Sequence, residues 1–158
     1  MIGLARVIWI VASVATSGCA VDTETGVTAE IAAAAVTVWG GGEATVVAVR
    51  IDAAFRVGEH ARGTRSFRAP RADVLVDERV VATVNLDRPV GFDPMLSPGE
   101  RDEVTLTGAS VAGAFPAAHD ALCATGGDAR AAVLLHWEDL TSGEMGRVRA
   151  GASVRCES

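Results

Sequence analysis

The chain predicts an all-β domain. Three observations carry this: period-two alternation of apolar and polar residues, frequent glycine and acidic turn signals, and almost no stretch with helical periodicity. The clearest case is 44–57. There Val47, Val49, Ile51, Ala53, Phe55 and Val57 take one face, while Ala48, Arg50, Asp52 and Arg56 take the other.

The other elements follow in order. Residues 29–39 read as a first strand: Ile31 to Ala35 has helical propensity, but Val36-Thr37-Val38-Trp39 favours strand. Gly40-Gly41-Gly42-Glu43 is then a hairpin turn into the second strand. Gly58 to Arg71 reads as an arginine-rich loop with a short strand at 64–68. Val74-Leu75-Val76, Asp77-Glu78 and 79–86 form a second hairpin. The stretch 88–99 holds three prolines and reads as a loop, and 103–111 reads as a strand. Pro116 at a first turn predicts a short helix near 116–123, ended by Gly126-Gly127. Residues 129–138 and 145–156 make a last hairpin about 139–144. About seven strands in one domain, 27–158, predict an immunoglobulin-like β-sandwich. The order Cys123, Trp137, Cys156 echoes that fold, at spacings unlike those of antibody domains.

Residues 1–18 have the three parts of a secretory signal. The free amino group and Arg6 supply positive charge, Val7 to Ala15 is apolar, and Thr16, Ser17 and Gly18 are small. Such a run is too short to span a bilayer, which takes about 20 apolar residues. Ser17-Gly18-Cys19 resembles the lipobox of bacterial lipoproteins, with Thr16 where that class favours Leu. The resemblance covers only the leader and Cys19. It implies a diacylglycerol thioether on Cys19, cleavage before it, and a membrane anchor. Ala20, where Asp would favour inner-membrane retention, implies the outer membrane. Residues 19–26 would be a short polar tether. The rival reading is cleavage after Ala20, which discards Cys19 and leaves a soluble secreted or periplasmic protein.

Setting Cys19 aside leaves Cys123 and Cys156, which an exported domain is expected to pair. The mature chain would carry 13 Arg against 20 carboxylates, a net charge of −7, which argues against nucleic acid as a partner. Yet Arg56, Arg62, Arg65, Arg68 and Arg71 fall in one window with only Glu59 opposing them, a net of +4. They are the candidate anion-binding residues, for an anionic lipid or an acidic envelope partner, because guanidinium forks suit phosphate and carboxylate.

Chemistry is poorly represented. His136, Glu138 and the following Asp139, with His119 and Asp120, are metal-ligand types at the spacing of no established site. No Gly-x-Ser-x-Gly elbow and no Gly-x-Gly-x-x-Gly or Walker loop occurs, so neither catalysis nor a cofactor is expected. The expected role is that of a membrane-anchored structural or interaction domain. The alternative is an anionic-ligand or partner-binding protein using the 56–71 segment.

Overall fold

A computed structural model describes residues 25–87, 95–124 and 130–157. The leader, Cys19, and the Gly126-Gly127 stop lie outside the described residues. Among the described residues no helix is long and apolar enough to cross a membrane.

The alternating segments form β1 (Val27–Trp39), β2 (Val46–Val57), β3 (Arg65–Val76), β4 (Arg79–Asn85), β5 (Met95–Leu96), β6 (Arg101–Ala109), β7 (Ala131–Asp139), β8 (Met145–Gly151) and β9 (Ser153–Glu157). One short helix, α1 (Ala118–Cys123), precedes β7. The first sheet runs β6-β2-β1-β9; the second runs β4-β3-β7-β8, with β5 paired to the start of β3. Strands A, B and E of an immunoglobulin-like sandwich correspond to β1, β2 and β6, and strands C, F and G to β3, β7 and β8. β4 pairs with β3 on the side away from β7.

All six apolar residues read from the alternation of β2 are buried. They meet Phe67, Ala72 and Val74 of β3 and Val133, Leu135 and Trp137 of β7 in one core. Phe55 and Phe67 pack ring on ring across the sandwich, centroids 4.5 Å apart. Trp137 lies over Gly146, where a Cβ would stand 2.0 Å from the ring. Glycine is therefore the residue that lets the indole close the core at that point.

The structure corrects three sequence expectations. Only the first half of the arginine-rich segment is loop, because the short strand expected at 64–68 is the start of β3, which begins at Arg65 and runs unbroken to Val76. A bulge between Arg68 and Arg71 reverses the alternation there, so the pattern looked irregular in sequence. The last strand is two: it breaks at Ala152, and β9 leaves the second sheet to pair in parallel with β1 in the first. The expected 88–99 loop contains β5. The count is accordingly nine strands among the described residues. On the opposite seam the chain after β4 bridges the sheets, with the amide of Asp87 donating to the carbonyl of Thr107 at 2.7 Å.

Asp77 and Glu78 both have positive φ, 46° and 67°, as the tight hairpin between β3 and β4 requires. Cys123 and Cys156 form a disulfide with Cα atoms 6.0 Å apart, tying α1 to β9. It is not a bridge between sheets at strands B and F, so the cysteine and tryptophan order is not that of an antibody core. Closing a loop of 33 residues stabilises the fold by about 3–4 kcal/mol on a chain-entropy argument.

Candidate functional site

Directly opposed residues on neighbouring strands share a face. The register therefore lays out the outer face of the second sheet row by row. Buried Leu135 and Trp137 turn His136 and Glu138 outward, and buried Ala72 and Val74 turn Arg71 and Asp73 outward. The middle row reads Asn85, Arg71, His136, Arg147 across β4, β3, β7 and β8. The next reads Thr83, Asp73, Leu134, Arg149. On the other side Arg68, Glu138 and Met145 make a third row.

The bulge brings this about. Phe67 points inward and Arg68 outward; Ala69 and Pro70 then take up the extra length, and Arg71 again points outward. Proline has no amide to offer the ladder, and the Pro70 carbonyl is satisfied by the Leu86 amide at 3.0 Å.

Asp73 is the centre of the face. It accepts from Thr83 Oγ1 at 2.8 Å and contacts His136 Nε2 at 2.7 Å. Burial alone would raise its pKa. The hydrogen bonds from Thr83 and His136, with the charges of His136 and Arg71, outweigh burial and hold the carboxyl below its ordinary value.

The five sequence-selected arginines do not converge. Arg56 points outward from β2, on the opposite face of the sandwich, and pairs with Glu59 at 3.1 Å. Arg62 is exposed in the turn before β3 and makes no ion pair among the described residues. Arg65 is mostly buried and pairs with the fully buried Asp139 at 3.2 Å, while its Nη2 donates to the carbonyl of Thr25 at 3.3 Å. Arg68 is bound to Glu138 through Nε at 2.9 Å and Nη2 at 2.7 Å. Arg71 lies in the middle row. Arg65 and Arg68 are thus paired with carboxylates from another segment and Arg56 with Glu59 of its own, while Arg62 and Arg71 make no ion pair among the described residues.

Sequence reasoning missed Asp73 and Arg147. Asp139 was assigned to a turn, which is half the truth: it also accepts the amide of Thr141 at 2.8 Å and the hydroxyl of Ser142 at 2.8 Å, building the β7–β8 turn around its carboxylate. The Asp-x-Thr-Ser-Gly run carries that signal. His119 and Asp120 contact each other at 3.4 Å on α1. Among the described residues no group of three or more His, Cys, Asp or Glu is arranged to hold a metal.

The outer faces of the two sheets differ in electrostatics. On the first, Arg50 meets Asp52, Arg56 meets Glu59, Arg101 lies between Glu30 and Glu103, and Arg155 faces Glu157. On the second, Arg68 meets Glu138 and Arg149 meets Glu78. Arg71 and Arg147 make no ion pair among the described residues, and both are exposed. No protein-family model matches the chain, and no curated protein matches its sequence.

Proposed function

We propose that the chain is an envelope lipoprotein, acylated on Cys19 and held at the outer membrane, whose sandwich serves as a non-catalytic interaction domain. The observation that carries this reading is the Cys123–Cys156 disulfide, which suits an oxidising compartment and pairs the two cysteines of the domain with each other. The exit of the chain from the domain supports it. The carbonyl of buried Gly26 accepts the Gly58 amide at 2.9 Å, and Arg65 holds Thr25. Thr25 and Gly26 are thus held against the domain. Six residues, 19–24, reach at most roughly 22 Å when extended. An anchor of more than one acyl chain, at about 0.8 kcal/mol per buried CH₂, is strong enough to hold a domain of this size at a surface.

Intact mass of the membrane-extracted protein tests the proposal, alongside a Cys19→Ala variant in the same host. The expected result is a chain starting at Cys19 with added acyl mass, and release of the variant from the membrane fraction. A bare chain starting at Val21 would refute anchoring and make the protein a soluble exported one.

A further inference from the structure

We propose that the middle row of the second sheet, Arg71, His136 and Arg147 with Asn85 at its edge, is a binding site for a phosphate-type oxyanion. The inference extends the reading of a tethered interaction domain but does not depend on acylation of Cys19.

Three observations converge. The first is geometric. Arg71 and Arg147 stand on strands flanking β7 and both oppose His136, so their backbones are two strand spacings apart, roughly 10 Å. Two long guanidinium side chains bending toward each other from that separation can close on one small anion above the imidazole. The second is electrostatic. The face carries Arg68, Arg71, Arg147 and Arg149 against Asp73, Glu78 and Glu138, so it has a positive excess in a chain whose net charge is −6. Glu138 is paired with Arg68 and Glu78 with Arg149, while Asp73 is bound to His136 and Thr83 and lies in the field of Arg71. Two arginines, Arg71 and Arg147, therefore face the one carboxylate of Asp73, and the positive excess of the face sits at the middle row. The third is preorganisation. The Asp73 contact to His136 Nε2 fixes the ring, and the side chains of Asp73 and His136 are only 13% and 17% exposed. The imidazole floor is thus held in place between two exposed forks, and Asn85 adds an amide donor directly across from Arg71.

The chemistry selects the ligand. A guanidinium presents paired donors that match two oxygens of a phosphate or phosphate ester, and charge-assisted bonds of that kind are the strong ones. The row lies on an open sheet face, so the phosphate group must project from whatever bears it. That bearer is either a small soluble phosphate compound or a lipid head group, and the two sources share the same recognition.

The test is a chemical-shift titration of the isotope-labelled full chain with inorganic phosphate, at constant ionic strength set with chloride. The expected result is saturable, concerted movement of the Arg71, His136 and Arg147 signals. Arg71→Ala and Arg147→Ala should each weaken binding about tenfold. Lysine at either position should lose less than alanine, because the charge stays and the fork goes. These positions are exposed, so the lysine variants also guard against misfolding. Arg50→Ala, on the opposite face, should bind as the parent does. A second arm uses phosphatidylcholine vesicles with and without phosphatidylglycerol. Vesicle binding that needs Arg147 assigns the phosphate to a lipid; vesicle binding indifferent to Arg147 assigns it to a solute. Non-saturating shifts in the phosphate arm together with vesicle binding that ignores Arg71 and Arg147 would overturn the site. So would an equal loss in Arg50→Ala.

Discussion

Removing the Asp139 carboxylate should be among the most damaging single changes in the domain. Its side chain is fully buried and accepts from Arg65 Nη1 at 3.2 Å, the Thr141 amide at 2.8 Å, the Ser142 amide at 3.3 Å and the Ser142 hydroxyl at 2.8 Å. Asp139→Ala leaves the Arg65 guanidinium, only 16% exposed, with Thr25 as its remaining acceptor. Breaking one side of a buried ion pair costs about 3–5 kcal/mol. The freed donors at Thr141 and Ser142 lie in an exposed turn and can bond water, so they add little. The expected total is about 4 kcal/mol, a large share of the roughly 5–15 kcal/mol that holds a domain together. Arg65→Ala should cost about 2 kcal/mol, because the carboxylate keeps its three turn donors. The double variant should cost about 2 kcal/mol less than the sum of the singles, since the second change removes a charge already orphaned by the first. Urea unfolding of the four proteins with the disulfide intact measures all of this. A cost below about 1 kcal/mol for Asp139→Ala, or strict additivity in the double variant, would refute the account.

Two further outcomes follow from the same geometry. Gly146→Ala forces a methyl to within 2.0 Å of the Trp137 ring, so it should cost about 3 kcal/mol and alter the near-ultraviolet dichroism of that indole; an unchanged spectrum and urea midpoint would contradict the packing. Asp73 has its pKa depressed in the fold, so its ionised form stabilises the native state above the ordinary carboxylate value and that stability is lost as pH falls through the folded pKa. The stability gap between the parent and Asp73→Asn should therefore narrow as pH falls from above the ordinary carboxylate value through the lower folded pKa, and a constant gap would exclude the linkage.

Much of the fold was legible because burial on one face writes alternation into the sequence. β2, the 77–78 hairpin and the start of the final hairpin were readable on that basis alone. β3 was less so, because the bulge at Ala69-Pro70 shifts the alternation by one residue and three residues of the strand, Arg65, Arg68 and Arg71, are arginine. The strand break at Ala152 left no mark, since small residues continue through it. At the candidate site, period two already put His136 and Glu138 on one face. Their partners were invisible. Asp73 is 63 residues from His136 and Arg65 is 74 from Asp139, and pairing register over such distances is set by the assembled sheets, not by local pattern. The basic window was a one-dimensional count of arginines, two of which, Arg65 and Arg68, take their counter-ions from elsewhere in the chain.

The crossover at Ala152 places the first and last strands side by side, with Ala35 to Trp39 running parallel to Ser153 to Glu157. A tension applied between the start of β1 and the end of β9 acts along these strands. The slanted, evenly spaced bonds of the pair then bear the load together in shear, whereas antiparallel termini at one end would unzip one bond at a time. The Cys123–Cys156 link adds a covalent stop at the far end of that path. A domain pulled from its amino terminus by an anchor and from its carboxyl end by a partner would yield only when the whole pair slides.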